Sequence, residues 1–263
     1  MLFLVSISFE ITLSQIKFGK PFKIDFAREV IILGAGSAAS VAGFAILEKI
    51  KPLSVDEINS LNPNDVNSFD RDAIGPQTED YFGDAVLYTS YLIPLTFLTY
   101  GETKNDFLDL TLLYSEVLLI QASVNGIVKG AVQRTRPFVY DPETPLEDKI
   151  TTDARISFFS GHTSMTAAIS FFTANVFTTY IDDKTAKVII WCGAAILPAA
   201  VAFSRLNTHW HFPTDVMTGY AVGALIGYLI PELHKTKSNG NGNLSIYPSI
   251  NMNRPVITAL LKF

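Results

Sequence analysis

Three short clusters combine side chains that could carry out chemistry together. They are residues 129–137 (KGAVQRTRP), 160–162 (SGH) and 204–215 (SRLNTHWHFPTD), and they hold four strong cations, three histidines and one carboxylate. Lysine and arginine bind the charged oxygens of a phosphate, and a histidine can act as a nucleophile toward phosphorus. The clusters therefore predict phosphate transfer through histidine. Because each lies where a hydrophobic segment ends, the predicted substrate comes from a membrane.

The third cluster has the spacing of an oriented nucleophile. Pro213 suits the first turn of a helix, so Asp215 would lie in that turn and could reach back to His211. A carboxylate bound to one imidazole nitrogen fixes the tautomer and leaves the other nitrogen free to attack. We therefore predict His211 as the nucleophile and Asp215 as its partner, the alternative being a helix-capping pair. His209 is farther from the acid and is predicted to be a wall or loop residue, with at most a supporting role.

The cations of the first and third clusters are predicted to bind the phosphate. Arg205 ends one hydrophobic segment, where it could also extend to the membrane interface. Lys129 and Arg136 follow another, and planar guanidinium forks suit phosphate oxygens while lysine adds a point charge. Lys129, Arg136 and Arg205 are thus the predicted ligands. Pro137 restricts the backbone of Arg136, so Arg136 is predicted to be the better phosphate ligand. Arg134 is then predicted to be a supporting residue or a contact to the lipid headgroup.

The second cluster precedes a hydrophobic segment. The backbone N–H groups of Ser160 and Gly161 could point from a helix N-terminus at an anion, and the Ser160 hydroxyl would add a donor. His162 would then stand beside the leaving oxygen as general acid, a role that suits imidazole near neutral pH. No metal or other cofactor is predicted, because the histidines are few and the acids are scattered.

Six segments must position these clusters, and each approaches the ~20 apolar residues that cross ~30 Å of hydrocarbon. They are residues 29–48, 83–100, 108–128, 163–181, 186–203 and 214–231. The last three contain almost no charge, and backbone in lipid must be bonded internally as helix. The predicted fold is all-α, an integral-membrane bundle of about six helices with the site at the helix ends on one membrane face. Gly219, Gly223 and Gly227 recur on one face of the last segment and predict close helix packing.

The polar stretches divide the chain. We predict an N-terminal segment over residues 1–28, a membrane domain over 29–234 with a core at 129–231, and a tail over 235–263 that forms a short β-hairpin or a disordered end. The start is apolar but lacks a basic region, so it only partly matches a cleaved signal; retained inside, it would place the clusters outside, whereas cleavage could invert the topology. Residues 129–160 are predicted to form part of the site wall. Glu116 is expected to face the bundle interior, as a structural group or near the site.

The distribution of charge limits the classes of binding partner and indicates the orientation of the protein in the membrane. A net charge of -5 without a basic run argues against nucleic-acid binding. The one cysteine, Cys192, lies in an apolar run, where a packed side chain is expected. Nine cations fall on the side opposite the clusters, which favours an external or periplasmic site in a bacterial inner membrane. They are Lys17, Lys20, Lys23, Arg28, Lys104, Lys184, Lys187, Lys235 and Lys237.

The three clusters resemble the signature of the type 2 phosphatidic acid phosphatase and vanadium haloperoxidase superfamily, which reads K-x6-RP, PSGH and SR-x5-H-x3-D. The matching positions here are Lys129, Arg136, Pro137, Ser160, Gly161, His162, Ser204, Arg205, His211 and Asp215. Phe159 replaces the usual proline, which alters the turn and removes no chemical group. The resemblance implies the same roles for the phosphate ligands, the acid and the nucleophile pair.

These observations predict a membrane-bound phosphatase that hydrolyses a lipid phosphate or diphosphate through a phosphohistidine. Phosphatidate, phosphatidylglycerol phosphate, polyprenyl diphosphate and lipid A phosphate remain open as substrates, as does the oligomeric state. One alternative is a vanadate-dependent haloperoxidase, because vanadate mimics the phosphoryl transition state. Another is a phospholipid-binding or transport protein without turnover.

Overall fold

A computed structural model describes residues 20–236 and the backbone of residues 243–251 and 254–262. The signal-like start therefore lies largely outside the described residues. The α-helices are α1 (Phe26–Leu47), α2 (Val55–Ser60), α3 (Ser68–Arg71), α4 (Tyr81–Ser90), α5 (Gly101–Asn105), α6 (Phe107–Val132), α7 (Leu146–Lys149), α8 (Gly161–Tyr180), α9 (Lys184–Asn207) and α10 (Pro213–His234). Short 3-10 turns lie at Pro63–Asp65, Ile93–Thr99, Pro137–Tyr140 and Asp153–Arg155.

Four stretches of the described chain are long and apolar enough to cross a membrane. They are Phe26–Leu47, Phe107–Tyr140, Lys184–Asn207 and Pro213–His234. Only 11% of the most apolar part of α1 and 17% of that of α9 is buried within the protein. Exposed apolar side chains such as Ile31 on α1 and Phe203 on α9 make these faces unsuited to water. The protein is an integral-membrane helical bundle, as predicted.

Helix α8 lies at the centre of the bundle. It packs against α6, α9 and α10, and thirteen of its 20 residues are buried. Several of its hydroxyl groups bond within the helix, since Ser170 donates to the Thr166 carbonyl and Thr173 to the Ile169 carbonyl. A helix surrounded by other helices can therefore carry serine and threonine without exposing them to lipid.

The second predicted segment, residues 83–100, is not one continuous helix. Helix α4 ends at Ser90, and after Tyr91 and Leu92 the chain continues as the 3-10 turn Ile93–Thr99. Pro94 lies in the first turn of this 3-10 piece, and a proline supplies no N–H to bond a preceding carbonyl. The expected six-helix bundle thus has five long α-helices and one broken segment among the described residues.

Glycines hold α8 and α10 in close contact, as the sequence predicts. A Cβ on Gly223 would lie 2.0 Å from the Ser164 carbonyl oxygen, and one on Gly227 would lie 2.2 Å from the Ala168 carbonyl oxygen. At Gly219 the corresponding distance to the Ser160 carbonyl oxygen is 2.7 Å. Any larger residue would push the two helices apart. This interface therefore fixes the start of α8 against the start of α10.

The two ends of the described chain meet at the far end of the bundle. Phe22 pairs with Lys235, and the Lys23 N–H donates to the His234 carbonyl at 2.8 Å. Beyond this point β1 (Asn243–Asn251) and β2 (Arg254–Lys262) form an antiparallel hairpin, one of the two predicted forms of the tail. The predicted domain boundaries at residues 28/29 and 234/235 remain predictions.

Candidate active site

Four helix ends bring the three clusters together at one end of the bundle. Lys129 lies in the last turn of α6 and Arg205 in that of α9, while His162 and Asp215 lie in the first turns of α8 and α10. The Ser160 N–H donates to the Asp215 carbonyl at 3.1 Å, which joins the second cluster to the third. The predicted convergence on one face of the membrane bundle is therefore present.

The contacts of His211 define its tautomer. Its Nε2 lies 3.1 Å from Arg136 Nη1, and a guanidinium can only donate, so Nε2 accepts with its lone pair. The proton then resides on Nδ1, which faces Asp215 Oδ2 at 3.6 Å, an ion-pair distance longer than a hydrogen bond. Burial first, and then the nearby Arg136, lower the pKa of His211 from 6.5 to about 3. The imidazole is neutral near pH 7, as a nucleophile must be.

Asp215 is held in place by hydrogen bonds on both oxygens. Its Oδ2 accepts from the Ser157 hydroxyl at 2.5 Å and from the Phe212 N–H at 2.9 Å. Its Oδ1 accepts from Arg134 at 2.6 Å. The side chain is fully buried. A carboxylate fixed in this way cannot turn toward another partner, and its Oδ2 stays 3.6 Å from His211 Nδ1.

Arg134 supports the acid instead of opening to the pocket. Besides Asp215 it binds Asp70 at 2.8 Å, and its guanidinium lies 4.2 Å from the centre of the Phe212 ring. Asp70 also accepts from the Thr214 N–H at 2.9 Å. Burial alone would raise the pKa of Asp70, but hydrogen bonds from Arg134 and Thr214 lower it. The interpretation of Arg134 as a supporting residue fits this geometry.

Arg136 lies beside His211, the predicted nucleophile, and its position is fixed by the loop before α8. Its Nε donates to the Asp153 carbonyl at 2.7 Å, and its Nη2 pairs with the Asp153 carboxylate at 2.9 Å. It also donates to the Trp210 carbonyl at 2.8 Å. Burial would raise the pKa of Asp153, but Arg136 and Lys129 lower it, so Asp153 stays charged. The predicted role of residues 129–160 as a site wall agrees with these contacts.

Two aspartates of α4 and its N-cap hold Arg205. Asp80 is buried and lies 2.9 Å from Arg205 Nε, while it also accepts from the Gly83 N–H and the Ser204 hydroxyl. Asp84 is partly exposed and its Oδ1 contacts both Arg205 Nη2 and, at 2.9 Å, His162 Nε2. A carboxylate beside Nε2 favours a proton on that nitrogen. Burial and then Arg205 lower the pKa of His162 from 6.5 to about 4, so His162 holds its proton on Nε2 and becomes the cationic acid only beside an added negative charge.

Lys129 is buried among these groups without a counter-ion of its own. It lies within electrostatic reach of Arg136, Arg205, Asp153 and Asp215. Within residues 20–236, however, its ammonium makes no hydrogen bond or ion pair. A buried cation is costly to leave unpaired. The site is thus suited to an added anion next to Lys129.

Ser160 and Gly161 form the N-terminus of α8. The Ser160 hydroxyl is buried and lies 3.0 Å from the Thr163 hydroxyl, so it caps the helix. The Asn125 side chain donates to the Phe159 carbonyl at 3.0 Å and lies against Gly161, where a Cβ would be 3.1 Å from its oxygen. Ser160 is therefore less open than predicted, whereas the Gly161 backbone remains at the helix start.

His209 turns away from the phosphate ligands. Its φ of 57° is unusual for a residue with a side chain, and its Nδ1 lies 2.9 Å from the Ala73 carbonyl. The ring packs against Gly75, where a Cβ would lie 2.6 Å from it. The interpretation as a loop residue fits these contacts, which tie the third cluster to the loop before α4.

Sequence reasoning missed the acids that surround the cations. These are Asp70, Asp80, Asp84 and Asp153. One signal could have pointed to them: apart from the cations of the three clusters, the loops on that side of the membrane are rich in acidic residues. Each of the three motif arginines pairs with at least one of these aspartates. Glu116 is fully buried as predicted, but it lies about 20 Å along α6 from Lys129, so the option that placed it near the site was wrong.

An apolar groove runs between α9 and α10 beside the site. It has a volume of about 440 Å³ and is lined among others by Ala202, Phe203, Leu206, Val216 and Met217. Leu206 and Val216 directly follow Arg205 and Asp215 in the chain. Phe203 and Met217 are exposed, so the groove lies on the outer face of the bundle, at the end that carries Arg205 and Asp215.

Known proteins share sequence or structural similarity with parts of this chain. A lipid A 4'-phosphatase from Porphyromonas gingivalis is 30% identical over 80 residues, a match that spans 30% of this chain and 30% of the length of that relative. The crystal structure of a transmembrane PAP2 type phosphatidylglycerolphosphate phosphatase from Bacillus subtilis aligns with a TM-score of 0.44 at 20% identity, covering 79% of this chain and 92% of that chain. The family model described as the PAP2 superfamily matches residues 110–239, just under half of the chain, and these residues contain all three clusters, in agreement with the resemblance that the motifs predict.

Proposed function

We propose that the protein is a phosphatase that removes a phosphoryl group from a lipid phosphate or diphosphate through a phosphohistidine at His211. The observation that carries the proposal is Lys129, a buried side chain whose ammonium has no counter-ion among residues 20–236 and lies near the paired Arg136 and His211. An anion is the missing charge in such a site, and an anion that engages Arg136 would free the Nε2 lone pair of the neutral His211 imidazole to attack phosphorus.

The reaction has two steps. In the first, His211 Nε2 forms a bond to phosphorus while the bond to the leaving oxygen breaks, and His162 Nε2–H protonates that oxygen. Lys129, Arg136, Arg205 and the N–H groups at the start of α8 neutralise charge on the other oxygens. The ring of His211 becomes cationic in this step, and Asp215 stabilises it.

In the second step, water attacks phosphorus and gives its proton to the now neutral His162. The phosphorus–nitrogen bond breaks, its electron pair returns to Nε2, and inorganic phosphate leaves. Charge stabilisation comes from the side chains named above, so the proposed turnover does not depend on added magnesium or manganese.

The apolar groove supports a lipid as the substrate. A chain lying between α9 and α10 would place its headgroup beside Arg205 and Asp215, since Leu206 and Val216 line the groove at that end. The P. gingivalis relative is named for a phosphatase of lipid A, which is also a lipid phosphate. A bacterial inner membrane with the site facing the periplasm fits the far-end position of Lys20, Arg28 and Lys235.

Phosphate release by the full-length protein in detergent tests the proposal. The substrates are phosphatidate, a polyprenyl diphosphate and a soluble phosphomonoester. His211→Ala should lower turnover by at least roughly 10³-fold, as expected for loss of a nucleophile, and His209→Ala serves as the matched control with near-parent turnover. Mass spectrometry after rapid alkaline quenching should find phosphate on His211. Equal release by parent and His211→Ala would refute the mechanism.

The same assay tests whether the substrate is a lipid. Ala202→Trp narrows the groove and should raise KM for phosphatidate while leaving KM for the soluble ester unchanged. Turnover of the soluble ester alone would exclude a lipid substrate. Halide oxidation with vanadate and peroxide would instead support the haloperoxidase alternative, and lipid binding without phosphate release would support the transport alternative.

A further inference from the structure

Three ionisable side chains converge inside the bundle at the end opposite the clusters. Glu29 of α1, Glu116 of α6 and His234 of α10 are all buried, and one ligand atom from each lies within 4.8 Å of the others. His234 is about 28 Å along α10 from Asp215, so this group is separate from the proposed active site. The mechanism proposed above uses none of the three.

The contacts of His234 resemble those of a metal-bound imidazole. Its Nδ1 lies 2.7 Å from the Ile230 carbonyl, which can only accept, so Nδ1 carries a proton. Its Nε2 faces Glu29 Oε2 at 3.0 Å and Glu116 Oε2 at 3.3 Å. A backbone carbonyl on one nitrogen and a cation on the other is the usual arrangement for a histidine ligand.

Glu29 is oriented so that one oxygen remains for this group. Its Oε1 accepts from the Asp25 N–H at 2.9 Å and from the Arg28 guanidinium at 2.8 Å. Its Oε2 is directed at His234 instead. Hydrogen bonds to the outer oxygen of a carboxylate ligand hold the inner oxygen in place.

Glu116 lacks the partners that a buried carboxylate needs. The side chain is fully buried, and neither of its oxygens accepts a hydrogen bond from the described residues. The single Nε2–H of His234 can donate to Glu29 at 3.0 Å, which would leave Glu116 with only the 3.3 Å contact to the same nitrogen and with no hydrogen bond. Burying such a group costs several kcal/mol, on the order of a marginal protein's whole stability. A cation between the three side chains would remove this cost.

The distances suit a small divalent cation. Ligands about 2.0–2.2 Å from zinc in a tetrahedral shell lie about 3.3 Å from one another, close to the spacings of 3.0 and 3.3 Å between Nε2 and the two carboxylates. One imidazole with two carboxylates favours zinc or another transition metal over magnesium. The geometry points to a divalent transition-metal site formed by Glu29, Glu116 and His234, which ties α1, α6 and α10 together.

Metal content of the full-length protein tests this site. The purified protein is loaded with zinc, free metal is removed by gel filtration, and zinc per chain is measured by mass spectrometry. We expect about one zinc per chain in the parent, at least a tenfold loss in Glu116→Gln, and a zinc-dependent rise in thermal midpoint that this variant lacks. Glu232→Gln, on the same helix as His234 but bonded to Asn175 and Lys235, should keep the zinc.

Two further measurements control for zinc bound elsewhere and for unfolding of the variants. His211→Ala should keep the zinc, since loss there would place the ion in the proposed active site and overturn the inference. Glu29→Gln is the second ligand variant, and gel filtration of both variants shows that they remain folded. A parent with no bound zinc, or a Glu116→Gln variant that retains it, would show that protons rather than a metal occupy the group.

Discussion

At the scale of single residues, Asp84 and Asp80 hold the same arginine in different ways. Asp80 is buried and has three partners, whereas Asp84 is partly exposed and its Oδ1 lies between His162 and Arg205. These last two groups are the proposed acid and a proposed phosphate ligand. In the proposed reaction an oxygen of the substrate would need the position of the Asp84 carboxylate and would have to displace it.

Asp84→Asn should therefore tighten the binding of anions to the empty site. We expect the inhibition constant of inorganic phosphate to fall roughly two- to fivefold, the range for a partly exposed charge pair. Asp80→Asn is the control, because loss of the buried anchor should weaken phosphate inhibition and lower kcat/KM. Weaker phosphate inhibition in Asp84→Asn would show that this carboxylate helps the anion to bind.

The pKa of His211 has a consequence for stability. Burial and Arg136 lower this pKa from 6.5 to about 3, so in that interval the unfolded chain binds a proton that the folded protein does not. Stability should then fall as the pH falls below about 6.5, by about 2 kcal/mol at pH 5 for this one group.

His211→Asn should remove this part of the acid sensitivity. Thermal unfolding in detergent should show a smaller loss of midpoint between about pH 7.5 and pH 5 in the variant than in the parent. Above about pH 7.5 the ring is neutral in both states, so the two pH slopes should coincide there. An identical acid loss in both proteins would mean that His211 is not held neutral by its surroundings.

At the scale of elements, the α8–α10 interface sets the distance between the second and third clusters. The carbonyl of Ser164 lies where a side chain on Gly223 would begin. Helices can approach this closely only through small residues. The hydrogen bond between Ser160 and Asp215 depends on this approach, because each lies at the start of one of the two helices.

Gly223→Ala should destabilise the protein and misplace the site. Overpacking typically costs about 1–3 kcal/mol, and we expect a lower thermal midpoint together with lower phosphate release. Gly193→Ala on α9 is the matched control, since no atom lies within 4 Å of its added Cβ and alanine favours helix. If both variants unfold at the parent's temperature, the glycine contact does not fix the two helices.

The same elements show how much the sequence could predict. The helix ends at the site could be predicted from the six apolar segments and the three motifs. Both the length of an apolar segment and the spacing of a motif are local properties of the chain. The acids that pair with the arginines could not be assigned, since Asp70 is 64 residues from Arg134 and Asp84 is 121 residues from Arg205. The break at Pro94 was also missed, because an apolar stretch does not reveal whether its helix is continuous.

At the scale of the whole molecule, the two ends of the bundle differ in charge and in chemistry. One end carries the three clusters with the surrounding aspartates. The other carries Lys20, bound to Asp109 at 2.6 Å, and Arg28, which donates to the Leu233 carbonyl at 3.0 Å. Positive residues near helix ends favour the cytoplasmic side. This asymmetry supports a bundle inserted with its clusters outward.

Labelling of single cysteines in intact bacterial cells should reveal this orientation. In a Cys192→Ala background, Glu147→Cys adds a thiol at the cluster end and Lys184→Cys adds one at the start of α9, and both positions are exposed. A maleimide that cannot cross the inner membrane should label position 147 in intact cells and position 184 only after the membrane is opened. Phosphate release by both variants serves as the control for folding. Labelling of position 184 alone in intact cells would place the clusters in the cytoplasm, and the substrate would then have to come from the inner leaflet.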